Sequence, residues 1–296
     1  MAEEYAGRRA RCMHCDCRFI VPAQSGRKAV VYVEPPEHPL PHFYRVVLVQ
    51  NWKGLFRKES LVGLVFCIAM TCFQFFLGNI DYSFTLPGFR LLLPIGWIAQ
   101  IITVGGLCWY FFQTIGNTFL YPETLPEMDI GFGFEYFGNL FKSLYLFIVA
   151  VILAAMPGMM IGTVLESWNF SPVWLKVMLF VFSCFLLTLF LALFGMEMPP
   201  WIVFRFDLLI RTLIKTIRPY LVTALITIIA FGVWLTSLGT FYTNKEMATL
   251  KSALSLSWRI IGVILMLYAM RSIGLYCRHY GRTCPWLWTK SQDSPP

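Results

Sequence analysis

Charged residues are scarce in this chain of 296 residues, at 14% against roughly 25% in an average globular domain. Hydrophobic residues reach 57%, above the usual range of about 45–50%. The four histidines all lie outside the long apolar runs, and no run has Asp or Glu at its centre. The shortage of charge excludes a soluble globular protein. The shortage of buried acids and histidines disfavours membrane-embedded catalysis, so we predict that the protein is not an enzyme.

Apolar runs of at least roughly the 20 residues that cross a bilayer occur six times. Five contain no charged residue: 60–80, 91–122, 143–165, 177–196 and 219–244. The sixth, 258–276, contains Arg271 near one end, and we expect its guanidinium to extend to the headgroups. The sequence therefore predicts an all-α integral membrane protein with about six transmembrane helices. For residues 91–122 two interpretations stay open, a single span or a span preceded by an interfacial turn.

The distribution of Lys and Arg predicts the orientation. Six spans put both termini on one side of the membrane, and nineteen of the 24 Lys and Arg residues fall on that side. By the positive-inside rule, both termini are cytoplasmic in a multi-pass protein of the cell membrane, which we expect to be a bacterial inner membrane. The net charge of +8 then reflects topology and attraction to anionic lipid, because no basic-aromatic module predicts nucleic-acid binding.

A basic amphipathic segment, residues 199–219, separates the fourth and fifth runs. At 100° per residue, its apolar side chains share one face, and the other face carries the cations Arg205, Arg211, Lys215 and Arg218. Pro200 suits the first turn of a helix, and Pro219 predicts its end. Because apolar runs adjoin both ends, we expect an interfacial helix whose cations face anionic headgroups.

An acidic, aromatic connection follows the second run. Its carboxylates are Glu123, Glu127, Asp129 and Glu135. The predicted topology puts them on the same face as the basic segment, so we hypothesise that this loop docks on those cations. A divalent-cation site is the alternative, but the acids lack the regular ligand spacing of a calcium loop.

The N-terminal segment holds a cysteine cluster that is typical of metal sites, with Cys12, Cys15 and Cys17 as ligands and His14 as a further one. The surrounding residues Phe19, Val21, Pro22 and Gly26 resemble the first half of a bacterial zinc ribbon. The second Cys-x-x-Cys pair is missing, because residues 29–33 read Ala-Val-Val-Tyr-Val. We favour a degenerate, metal-free ribbon and predict no cofactor, while an occupied zinc site and a redox pair stay open.

Two further motifs resemble a known family. The stretch Leu-Pro-Glu-Met-Asp at 125–129 and the Arg-Pro-Tyr-Leu block at 218–221 are similar to an uncharacterised bacterial family of polytopic membrane proteins. That family often carries an N-terminal zinc ribbon. The resemblance implies a fold of about six spans and no activity.

We divide the chain into four parts. Residues 1–40 form a zinc-ribbon-like tail, 41–59 an amphipathic juxtamembrane segment with Trp52 as an interfacial anchor, 60–280 the six-span domain and 281–296 a C-terminal tail. We predict a non-enzymatic protein that organises or recruits anionic lipid or a protein partner at the cytoplasmic face. The alternative is a transporter of a small solute or lipid, in which Gln100, Gln113 and Asn117 line a path instead of bonding between helices.

Overall fold

Six long helices dominate the computed structural model and confirm the prediction of an all-α membrane protein. The structure describes residues 9–11, 18–20, 42–78, 82–86, 89–93, 95–126, 134–167, 173–198, 205–238 and 250–281. Each of the six helices is long and apolar enough to cross a bilayer.

The described helices follow in chain order. A juxtamembrane helix consists of α1 (Phe43–Arg45), a π-helical turn (Val46–Gln50) and α2 (Asn51–Leu55). After a 3₁₀ turn (Lys58–Ser60) come α3 (Leu61–Leu77), α4 (Ile95–Leu120), α5 (Phe134–Ser167), α6 (Val173–Gly195), α7 (Phe206–Lys215), α8 (Ile217–Leu238) and α9 (Leu250–Tyr280). The six spans are α3, α4, α5, α6, α8 and α9.

Both ends of the transmembrane domain meet at one end of the bundle. The ring of Phe43, at the start of the juxtamembrane helix, lies 5.3 Å from the rings of both His279 and Tyr280 in the last turn of α9. We call this the terminal end. Because successive spans alternate in direction, the last turns of α4 and α6 and the helix α7 also lie there. An even number of spans is thus a structural finding, whereas the side of the membrane stays a prediction.

Helix α9 is the centre of the bundle. In its most apolar window 78% of residues are buried inside the protein, against 22% for α5 at the periphery. Close approach to its neighbours depends on glycine: Gly274 of α9 packs on Ile115 and Thr118 of α4. Lipid tails are as apolar as the helices, so close van der Waals packing at such small residues holds membrane helices together.

Within the described residues, two short antiparallel strand pairs accompany the helices. The first pairs β1 (Arg9–Arg11) with β2 (Arg18–Ile20), and the second pairs β3 (Tyr82–Leu86) with β4 (Phe89–Leu93). The second hairpin answers the question about the second apolar run. The first residues of that apolar run belong to β4, and the span that follows is one helix, which begins at Ile95.

Helix α9 begins earlier than its hydropathy predicts. We placed the last span at residues 258–276 and counted Arg259, its second residue, with the cations of the outer face, but α9 begins at Leu250. Arg259 is buried within the helix, with its guanidinium carbon 5.5 Å from the centre of the Phe75 ring. Contact between a guanidinium and an aromatic face partly compensates a buried cation. Hydropathy could not reveal that compensation, because it depends on a residue of α3.

The packing of Gly274 is testable by substitution with alanine. A Cβ atom at this position would lie 2.7 Å from the backbone oxygen of Ile115 and 2.8 Å from Cβ of Thr118. Backbone cannot yield cheaply, so we expect Gly274→Ala to destabilise the protein by about 1–3 kcal/mol, measured as a lower unfolding temperature in detergent.

Gly232→Ala on α8 is the matched control, because no atom lies within 4 Å of its added Cβ. Alanine favours a helix by about 1 kcal/mol over glycine, so this variant should unfold at the wild-type temperature or above. Equal unfolding temperatures for the two variants would contradict the proposed α4–α9 contact.

Candidate functional site

Helix α7 has three distinct faces. One face is buried against the bundle through Leu209, Thr212 and Thr216. A second face is apolar and exposed, and it comprises Ile210, Ile214 and, in the first residues of α8, Ile217. The third is exposed and cationic, with Arg211, Lys215 and Arg218. We call Phe206–Lys215 together with Arg205 and Arg218 the basic helix. An apolar stripe beside a cationic stripe is the pattern of a helix at a membrane–water interface.

The basic helix is oriented by its junction with α8. The two helices are separated only by Thr216, whose φ of −123° and ψ of 26° break the helical path. The Thr216 hydroxyl hydrogen-bonds the Tyr276 hydroxyl of α9 at 2.6 Å. We predicted that Pro219 ends this helix, but Pro219 lies in the first turn of α8. Proline is tolerated there because N–H groups of a first turn have no intrahelical acceptor. Residues 199–204 lie outside the described part.

Among the described residues, little of the positive charge on the basic helix is compensated by carboxylates. Arg205 lies 3.7 Å from Asp207, and both side chains are about half exposed, so this pair contributes little stability. In the described part of the chain, Arg211, Lys215 and Arg218 have no ion pair with a carboxylate.

The acidic loop is described only in part. Glu123 forms its ion pair with Arg57, at 2.7 Å between Oε2 and Nη1, and not with the basic helix. Glu127 and Asp129 lie outside the described residues, as does the side chain of Glu135. Docking of these three on the basic helix stays a prediction. The beginning of the loop is tied to the bundle instead, since the backbone N–H of Leu125 donates to Ser60 Oγ at 3.2 Å.

The cysteine cluster also lies outside the described residues. Cys12, His14, Cys15 and Cys17 fall between β1 and β2, whose described residues pair with Arg11 opposite Arg18. Zinc binding by this cluster therefore stays an open question. In the ranges that the structure does describe, no three His, Cys, Asp or Glu side chains converge.

Arg271 corrects a prediction from the sequence. We expected its guanidinium to extend to the headgroups, but the residue is only 1% exposed. Its Nε donates to Asn51 Oδ1 at 2.9 Å, and its Nη2 donates to the backbone oxygen of Pro122 at 2.8 Å. The guanidinium also lies against Gly54, where a Cβ atom would collide with Nη2. Arg271 is thus a buried link between α9, the juxtamembrane helix and the loop after α4.

Backbone oxygens at the end of α4 and just after it compensate part of the positive charge of Arg271 and of a second arginine, Arg278. Arg278, two turns after Arg271, donates through Nη1 to the backbone oxygens of Phe119 at 3.1 Å and Leu120 at 2.8 Å. The last carbonyls of a helix have no intrahelical donor and carry a partial negative charge, so cations are stabilised beside them. Arg278 therefore caps the last carbonyls of α4, and Arg271 bonds a carbonyl two residues beyond the helix.

The juxtamembrane helix is fixed on α9 by polar and aromatic contacts. Asn51 Nδ2 donates to the Tyr268 backbone oxygen at 3.1 Å and to Ser272 Oγ at 3.0 Å. The Tyr268 hydroxyl donates to the backbone oxygen of Val47 at 2.9 Å. Trp52, which we predicted to be an interfacial anchor, stacks on Tyr268 with ring centres 4.5 Å apart. We did not predict the role of Asn51 from the sequence. The one sign of that role was the presence of an amide on the apolar side of an amphipathic segment.

The amides of α4 serve the local structure. Gln100 Nε2 donates to the backbone oxygen of Gly78, just after α3, at 2.9 Å. Asn117 Nδ2 donates to the backbone oxygen of Thr124 at 3.2 Å. Gln113 is exposed on the outer side of the helix. Two of the three amides thus satisfy backbone carbonyls, which favours structural bonding over a path for solute.

No protein-family model, curated protein or solved structure shows significant similarity to this chain. The resemblance to a family of polytopic membrane proteins and to zinc ribbons therefore stays a prediction.

The role of Asn51 can be tested by truncation. In Asn51→Ala, the buried Nε of Arg271 loses its acceptor while Nη2 keeps the Pro122 oxygen, and a lost hydrogen bond to a buried cation is costly. We expect a loss of about 3 kcal/mol in stability, measured as a lower unfolding temperature in detergent. Gln50→Ala is the control, because Gln50 is adjacent but exposed, and it should leave the unfolding temperature unchanged. Wild-type stability of the Asn51 variant would show that the link is unimportant.

Proposed function

We propose that this polytopic membrane protein is not an enzyme and that it binds anionic phospholipid through the basic helix, which lets it organise lipid at the cytoplasmic face. The observation that supports the proposal is the separation of α7 into a packed, an apolar and a cationic face. A soluble partner protein would also meet the cations. An anionic leaflet, however, accommodates the cations and the neighbouring exposed isoleucines at once.

The location of the basic helix supports the same conclusion. Only Thr216 separates it from α8, which is one of the six spans. A helix that close to a span lies at the edge of the hydrocarbon core. Each Lys or Arg near an anionic leaflet contributes about 1 kcal/mol, so the four cations together contribute a few kcal/mol. Ile214, which is 70% exposed, adds apolar contact with the acyl chains.

The described polar residues favour binding over catalysis or transport. His279 is buried against the ring of Phe43, and Arg271 is hydrogen-bonded to Asn51 and Pro122. Gln100 and Asn117 donate to backbone carbonyls. These groups account for structure at the α4–α9 crossing, so we assign the function to the exposed surface of the terminal end.

Charge reversal on the basic helix tests this function. In Arg211→Glu combined with Lys215→Glu, two attractive cations become repulsive carboxylates. We expect the affinity for phosphatidylglycerol to fall on the order of 100-fold, because each lost cation removes about 1 kcal/mol and each carboxylate adds repulsion. Native mass spectrometry of protein released from mixed phosphatidylglycerol and phosphatidylcholine nanodiscs measures the retained lipid.

Lys142→Glu is the control for this experiment, since Lys142 is an exposed cation on α5 outside the basic helix. Because it is a single cation, it should lose much less phosphatidylglycerol than the double variant does. Equal retention by the double variant and wild type would exclude the basic helix as the lipid-binding element.

Orientation has its own test. The proposal needs the terminal end to face the cytoplasm, where nineteen of the 24 Lys and Arg residues would lie. Reporters fused to the N-terminus and, separately, to the C-terminus should both give a cytoplasmic signal, and a reporter inserted between β3 and β4 should give the opposite one. A periplasmic signal from both termini would contradict the proposed topology.

A further inference from the structure

A second exposed surface lies on the juxtamembrane helix. Its inward side packs on the bundle through residues spaced one turn apart, Phe43, Val47, Asn51 and Leu55. Its outward side exposes the apolar side chains of Leu48, Val49 and Phe56, which are 50%, 51% and 57% exposed. No described segment of the chain covers these three side chains.

Cations accompany this apolar surface. Arg45, Lys53 and Lys58 are exposed on the same segment, and in the described part of the chain none of them pairs with a carboxylate. Arg57, in contrast, is paired with Glu123. Glu59 is the one exposed acid among residues 42–60. The outward side is therefore both apolar and positively charged, as the basic helix is.

The position of the segment limits what can cover it. Its last helical residue, Leu55, is followed within a few residues by α3, which crosses the membrane. The contacts of Asn51, Tyr268 and Arg271 hold the helix against the second half of α9. The outward side consequently lies at the level where lipid headgroups meet acyl chains.

We propose that the juxtamembrane helix forms a second binding surface for anionic phospholipid, separate from the basic helix. Arg45, Lys53 and Lys58 bind phosphate groups of the headgroups, while Leu48, Val49 and Phe56 contact the upper acyl chains. The Arg271–Asn51 link is then a positioning device that holds this surface at the membrane. The inference goes beyond the proposed function, since it concerns a different element and different residues.

Neutralisation of two cations tests the second surface. Lys53→Gln combined with Lys58→Gln should weaken phosphatidylglycerol binding about 30-fold at this surface, because about 1 kcal/mol is lost for each cation. The readout is phosphatidylglycerol retained after release from mixed nanodiscs. Both side chains are exposed, so the unfolding temperature in detergent should stay at the wild-type value. Lys142→Gln, with one exposed cation removed from α5, should lose much less lipid than the double variant.

Comparison with the Arg211→Glu, Lys215→Glu double variant distinguishes lipid binding by the juxtamembrane helix from lipid binding by the basic helix. If each double variant loses part of the lipid and the combined variant loses more, both surfaces bind. If only the basic-helix variant loses lipid, the second surface is excluded and the proposed function remains. If only the juxtamembrane variant loses lipid, the proposed function is excluded and the second surface stands. Wild-type retention by both variants would overturn both.

The positioning role has a separate readout. Asn51→Ala removes an acceptor of Arg271 and leaves every exposed cation in place. If the link holds the surface at the membrane, this variant should lose phosphatidylglycerol to a similar extent as the Lys53 and Lys58 variant does. Gln50→Ala should retain it. Full retention by Asn51→Ala would contradict the positioning role.

Discussion

The burial of one guanidinium constrains the terminal end of this protein. Removing a cation from water costs several kcal/mol unless hydrogen bonds and partial charges replace the hydration. Around Arg271, the replacement comes from Asn51 on the juxtamembrane helix and from Pro122 after α4. Neither acceptor belongs to α9. The burial of Arg271 is therefore tolerable only when three separate parts of the chain are assembled, and its cost makes the arrangement specific.

The two interfacial elements depend on α9 in the same way. Tyr276 bonds Thr216 at the start of the break between α7 and α8, and Tyr280, one turn later, contacts Phe43 at the start of the juxtamembrane helix. The rings of Tyr276 and Tyr280 are themselves 5.7 Å apart. One turn of the most buried span thus contacts the buried sides of both helices that carry the candidate lipid-binding surfaces. Their orientation follows from packing inside the bundle, whereas their affinity depends on side chains outside it.

The number of spans and the faces of α7 could be predicted from the sequence, because hydropathy and periodicity report directly on them. The same patterns misled us about Arg271. Periodicity shows which side of a helix is apolar but does not show whether lipid or protein covers it. In the sequence, an apolar residue that faces lipid cannot be distinguished from one that is buried in protein. The acceptor Asn51, which contacts Arg271 in the fold, lies 220 positions away in the sequence. Pro219 failed as a boundary for a local reason, since the first turn of a helix accepts proline as readily as a connection does.

Helix length ties the candidate surfaces to the thickness of the bilayer. Helix α9 has 31 residues and is about 46 Å long at 1.5 Å per residue, well beyond a hydrocarbon core of about 30 Å. Such a helix must tilt or project from the membrane. Because α9 contacts both interfacial helices, a change in its tilt also changes the depth at which they lie. Bilayer thickness therefore affects the depth of the same surfaces for which we propose binding of charged headgroups.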